Sequence, residues 1–313
     1  VDPVELPVVV GVDGSDAASD ALDWAAAMAA RRRLPLRIVH ASLWERYEGY
    51  VPATAADRPT ERLYSETVLA TAAERAGRRA PALKVMTDLA ADDPVTALLR
   101  AGQSAEAVVV GSRGRGEFAS LLLGSVGLGI AARAACPVIV VRGRPEGGYG
   151  RMNRVAVGIA ERERPAEHER PPPSPAVAFA LREARLLGCE LEAVHAWRCA
   201  GPDDHGPHEE RGCAKRIGQG WWSGWRAEHA RHAAELLDEA LGGVTEMARP
   251  PVPVAYRAVE GPARKALLDA SDQAGLLVVG ARRRQGHFGM QLGLVNHAVL
   301  HHARCPVAVI PQP

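Results

Sequence analysis

Cysteine is scarce in this chain of 313 residues: five are present, an odd number that makes no disulfide framework. Cys136, Cys189 and Cys305 each begin or flank an apolar run, which predicts reduced thiols acting as small core residues. An excess of either charge is also lacking. The 38 basic and 37 acidic side chains leave a net charge of +1, so nothing overall draws the chain to nucleic acid or to an anionic membrane. No apolar run approaches the length of a membrane span. The first residues, Val1-Asp2-Pro3-Val4-Glu5, carry no secretory signature, and the cytoplasm is the expected compartment. The G-x-x-x-x-G-K-[ST] loop of common nucleoside triphosphatases is missing, and no Ser-His-Asp or Cys-His arrangement follows from spacing. Catalysis therefore has weak support.

What is present is a duplication. Val8-Val9-Val10-Gly11 recurs as Val155-Ala156-Val157-Gly158, Val39-His40-Ala41 as Val194-His195-Ala196, and Cys136-Pro137-Val138 as Cys305-Pro306-Val307. The offset grows along the chain from 147 to 155 to 169 residues, so the second copy has gained 22 residues in two places. These fall at 161–175, which holds Pro171-Pro172-Pro173, and at 200–220, rich in Gly, His, Asp and Glu; both read as loops. The glycines and proline of Gly143–Gly150 discourage regular structure, which predicts two domains, 1–146 and 151–313.

Hydrophobic periodicity predicts strands at 7–13, 36–39, 82–87, 107–111 and 137–142, with helices at 17–32, 61–79, 94–102 and 125–134. The second copy repeats the order, with strands at 153–159, 190–196, 252–258, 276–280 and 306–310 and helices at 175–187, 226–241, 262–273 and 295–303. Strands alternating with helices of this length imply α/β units with parallel sheets covered on both faces. Arg31-Arg32-Arg33, at a helix end, is expected to lie in water. Trp221, Trp222 and Trp225 are expected to precede a helix and to cover apolar surface or meet a partner. Cys199, His205, His208 and Cys213 lack the paired spacing of a zinc site, and His297 and His301, four apart, have no Glu beside them to suggest a metalloprotease, so no metal site is expected.

The chemistry concentrates in one pattern. Val108-Val109-Val110-Gly111-Ser112-Arg113-Gly114 is followed, after nine residues, by Gly124-Ser125. A strand ending in a glycine-rich turn before a helix directs backbone N–H groups and a helix N-terminus at an anion. Gly114 and Gly124 let the backbone approach it, and Ser125 offers a hydroxyl or caps the helix. Taken alone, the pattern also describes a plain flexible loop. Asp13-Gly14-Ser15 follows the first strand, where Asp13 either bonds a ribose hydroxyl or base amino group or serves as a turn residue before a Ser15 cap. Ligands of doubly wound sheets collect at this carboxyl edge, which favours the ligand role.

These residues resemble the universal stress protein family in tandem form. The resemblance rests on Val9–Ser15, Val39-His40-Ala41, Gly111-x-x-Gly114-(nine residues)-Gly124-Ser125 and Cys136–Val141. It implies two five-stranded parallel sheets of order 3-2-1-4-5, with ATP and accompanying Mg²⁺ across the tips of strands one and four. By position, Gly11, Val12, Asp13, Gly14, Ser15 and the backbone at Ala41 would meet the adenosine end. Gly111, Gly114, Gly124, Ser125 and Val126 would surround ribose and phosphates, while Arg113 either adds charge or lies in solvent. A binding switch fits this pattern better than a turnover enzyme, although slow ATP hydrolysis stays compatible with it. In the second copy Asp13 becomes Ala160, Gly114 becomes Arg283 and Ser125 becomes Leu294, so one nucleotide is expected, in the first domain. Strands 137–142 and 306–310 would be bare sheet edges in isolated domains, and are expected to pair with each other. That makes an intramolecular pseudo-dimer, with homodimers of the whole chain and unnamed protein partners left open.

Overall fold

Val8–Gly11 forms β1, and its three valines are fully buried because helices cover both faces of the strand. The computed structural model describes residues 5–43, 58–112, 123–142, 149, 152–160, 173–198, 219–245, 251–282 and 292–312. The first half continues with α1 (Asp16–Arg32), β2 (Leu36–Ala41), α2 (Arg58–Arg79), β3 (Val85–Ala90), α3 (Pro94–Gly102), β4 (Ala107–Gly111), α4 (Ser125–Arg133) and β5 (Val138–Val141). The second half repeats it as β6 (Arg154–Ile159), α5 (Pro175–Leu187), β7 (Glu190–Trp197), α6 (Gln219–Thr245), β8 (Val254–Glu260), α7 (Ala263–Ser271), β9 (Leu276–Arg282), α8 (Leu294–His302) and β10 (Val307–Gln312).

All strands join one 10-stranded sheet of order β3-β2-β1-β4-β5-β10-β9-β6-β7-β8. Each half has the expected order, and pairing is parallel except at the centre, where β5 and β10 run antiparallel with Ala308 opposite Ile139. The two last strands do pair, so neither is left as an edge. Side chains alternate across this seam. Ile139, Val141, Ala308 and Ile310 belong to one core layer with α1 and α5; Val138, Val140, Val307 and Val309 belong to the other with α4 and α8. Each layer is continuous through both halves, because pairing the fifth strands aligns their two faces.

Three expectations are corrected. The β3 strand starts at Val85 because a turn closed by Leu83 N–H on Ala80 O takes up the preceding residues. Helix α6 starts at Gln219, so Trp221, Trp222 and Trp225 lie inside it; no proline between Pro207 and Pro250 interrupts that stretch. Arg32 is not in water. Its guanidinium is buried where α1 meets α5, bonded to Glu183 and, at 2.5 Å, to Glu106. Tyr149 donates its hydroxyl to the second Glu183 oxygen at 2.7 Å, and Arg31 donates to the Leu186 carbonyl at 2.9 Å. Cys136, Cys189 and Cys305 are buried free thiols, as expected. Cys199, His205, His208 and Cys213 lie outside the described residues.

Candidate functional site at the strand tips of the first half

Parallel pairing brings the ends of β2, β1 and β4 side by side, with Val10 between Ile38 and Val109. Strand spacing puts the tips of β2 and β4 roughly 10 Å apart. Ala41 ends β2, Gly11 and Val12 end β1, and Gly111 ends β4. The chain then turns into α1 through Gly14, whose φ of +82° is left-handed and suits glycine. The Asp13 carboxylate accepts from the Ser15 N–H at 3.0 Å, and the Ser15 hydroxyl accepts from the Ala18 N–H at 3.1 Å as the N-cap of α1. Asp13 and Ser15 thus hold the turn themselves, whatever else they contact.

Gly111 is fixed by a different constraint. A Cβ there would sit 2.6 Å from the Ala17 carbonyl oxygen and 3.0 Å from the Ala18 nitrogen, so the first turn of α1 rests directly on the end of β4. The 2.8 Å bond from Gly124 N–H to Ser112 O returns the chain to the same tip. Gly124, not Ser125, is the N-cap of α4, with no side-chain bond to the first-turn amides. Ser125 is instead the first helical residue and is exposed, next to half-buried Val126. Uncapped N–H groups and a free-facing hydroxyl at one helix end are donors suited to an anion. Arg113 and Gly114 fall outside the described residues.

Two further side chains complete the tip. His40 is buried and directs Nδ1 at the Val12 carbonyl, 2.8 Å away; since that oxygen only accepts, Nδ1 carries the proton. Tyr64, from α2, donates to the Asp13 carbonyl at 3.1 Å and covers Gly14. The Val39-His40-Ala41 repeat hinted at His40, but nothing local in the sequence pointed to Tyr64.

The second half is built differently at the equivalent place. His195 repeats the His40 bond, with Nδ1 2.9 Å from the Ile159 carbonyl. Helix α5, however, is capped by Ser174 and is four residues shorter than α1. The missing turn is the one that rests on Gly111 in the first half. Gly280, the counterpart of Gly111, is covered by the Gln312 side chain, and Asn296 donates to the Gly280 carbonyl at 2.9 Å. Leu294, in place of Ser125, is 91% exposed and offers no hydroxyl.

The fold and its tips define a duplicated, doubly wound α/β protein, with glycine-lined turns at the carboxyl ends of its strands. The chain belongs to the universal stress protein family, whose sequence model matches residues 6–142 and 215–311. It is 36% identical to the universal stress protein Rv2005c of Mycobacterium tuberculosis, over 97% of each chain. A universal stress protein from Archaeoglobus fulgidus shares the fold, with a TM-score of 0.65 at 17% identity over 99% of this chain and 100% of its own. Another from that organism was solved in complex with dAMP; it is 23% identical over 45% of this chain and 100% of its own, with a TM-score of 0.34. Among the described residues, no helix is long and apolar enough to cross a membrane, and no group of His, Cys, Asp and Glu is placed to hold a metal ion.

Proposed function

We propose that this chain is a cytoplasmic ATP-binding stress-response protein that holds one nucleotide at the tips of β1 and β4. The first half, 1–146, would be the binding domain, and the second, 151–313, structural or regulatory. The observation that carries this reading is the first turn of α1. It lays the Ala17–Ala18 backbone over Gly111 directly after the Asp13-Gly14 turn, whereas α5 starts later and the Gln312 side chain covers Gly280, the counterpart of Gly111. Adenosine would lie between Asp13 and the Ala41 backbone. The phosphates would face Gly111, Gly114, Gly124, Ser125 and Val126, with Arg113 contributing charge. The exposed Ser125 hydroxyl is an oxygen donor of the kind that suits Mg²⁺, which would neutralise phosphate charge. Nucleotide binding would bridge the separate turns after β1 and β4 and shift the surface they present to protein partners.

Titration calorimetry tests the assignment. One ATP per chain is expected, lost in Gly114→Arg and retained in Gly280→Ala. Two equivalent sites would overturn the asymmetry. No heat at all would favour the rival reading, a nucleotide-independent interaction protein, and release of ADP over hours would point to slow hydrolysis.

A further inference from the structure

The seam between the halves holds a cavity of about 20 Å³ where Ala131, Ala132 and Cys136 of the first half meet Ala281, Gly293 and Pro311 of the second, with Arg282 and Leu292 also in its lining. Shifted by the 169-residue repeat, the same positions are Leu300, His301 and Cys305 against Ser112, Gly124 and Arg142. His301 therefore stands in place of Ala132 and Arg142 in place of Pro311. Two large basic side chains thus stand at the positions equivalent to an alanine and a proline of the cavity lining.

The Arg142 backbone lies beside the tip of β4. Arg142 directly follows Val141, whose carbonyl accepts the Ser112 N–H at 2.9 Å, and the Ser112 carbonyl accepts the Gly124 N–H at 2.8 Å. From across the seam α8 reaches the same point: the Arg142 guanidinium donates to the Leu300 carbonyl. The Nε2 atom of His301, the next residue, is buried and has no hydrogen-bond partner among the described residues. A buried ring nitrogen without a partner is unfavourable, so a group that satisfies it would be bound with advantage.

We propose that His301 and Arg142 form an anion subsite at the seam for the terminal phosphates of the nucleotide held by the first half. The second half then completes the first half's site, which explains why it has been kept. This rests on the nucleotide reading above and extends it to the phosphate number: the subsite rewards di- and triphosphates over adenosine and AMP.

Protonation supplies a signature. Burial holds the His301 imidazole below its ordinary pKa, and the charged and titratable groups acting on it are all basic: His297, stacked at 4.4 Å, His302 and Arg142. Beside α8, Asp272 after α7 is paired with Arg304 at 3.2 Å, and the Cys305 thiol stays protonated because burial raises its pKa. His301 is thus neutral at pH 7, and an arriving phosphate favours its protonated form.

Calorimetry at pH 7 in buffers of different ionisation enthalpy reads the proton directly. ATP binding to the wild-type chain should take up a proton, and His301→Gln should abolish the uptake and weaken ATP binding about tenfold. Adenosine binding should be unchanged in that variant. Arg142→Gln should likewise weaken ATP but not adenosine. Wild-type ATP binding without proton uptake, or a His301→Gln chain with an undiminished preference for ATP over adenosine, overturns the subsite and leaves the nucleotide reading intact. A wild-type chain that binds no adenine nucleotide overturns both.

Discussion

Glu183→Ala is the most informative perturbation of the architecture, because it removes one charge from the buried cluster that joins α1 to α5. Glu183 and Arg32 have side chains only 1% and 5% exposed. Burial alone would lower the Arg32 pKa, but Glu183, Tyr149 and Glu106 outweigh it and the pKa is raised. Breaking such a pair from one side costs about 3–5 kcal/mol, since it strands the remaining charge. Here the Tyr149 hydroxyl also loses its acceptor, while Glu106, 24% exposed, still faces Arg32 at 2.5 Å. That residual partner argues for the lower end, about 3 kcal/mol, which for units of this size lowers Tm by roughly 6–12 °C. Urea unfolding followed by tryptophan fluorescence suits the measurement, because Trp24 packs edge-on against Tyr149 at 5.1 Å. Removing both charges with Arg32→Met and Glu183→Leu should cost less than Glu183→Ala alone, as an apolar pair has no charge to strand. A loss below about 1 kcal/mol for Glu183→Ala, or a double variant whose cost equals the sum of its single ones, would refute the reasoning.

Gly111→Ala and Gly280→Ala occupy equivalent places in the repeat and should behave differently. The Cβ at 111 meets the Ala17 backbone, which moves only with α1, so a loss of about 1–3 kcal/mol is expected in urea unfolding. At 280 the obstacle is the Gln312 side chain, which can turn away, and the loss should stay below about 1 kcal/mol; equal losses would contradict the packing described. Burial pushes the Cys136 thiol up to about 11 and the Cys305 thiol up to about 12. At pH 8 neither should be alkylated by iodoacetamide in the native chain, while both react in guanidinium; native labelling at the denatured rate, read by mass spectrometry, would show the thiols to be accessible.

Much of the site was legible because its signals are local. Gly111, Gly124 and Asp13-Gly14-Ser15 announce turns through residues whose backbone preferences act over a few positions, and the repeat showed which of them the second copy lost. The cap of α4 fell one residue from where Ser125 suggested it, a shift within the usual fraying of helix ends. Tyr64 was invisible, because its bond to Asp13 depends on how α2 docks over β1, 51 residues away. The start of α5 at residue 175 was legible, as predicted, but that the turn it lacks is the one resting on Gly111 in the first half depends on how the helices pack over the strand tips.

Periodicity and the internal repeat alone determined that this chain is two α/β units of alternating strands and helices, the order 3-2-1-4-5 came from the family resemblance, and the fifth strands, bare in isolated units, had to be covered. Tertiary structure alone decided that the units share their core layers and that Arg32 is a buried tie and not a solvated charge. It also brought Arg142 of one half to the Leu300 carbonyl of the other. Each of these depends on which surfaces the antiparallel seam brings together, and a side chain's burial is set by neighbours that lie far from it in sequence.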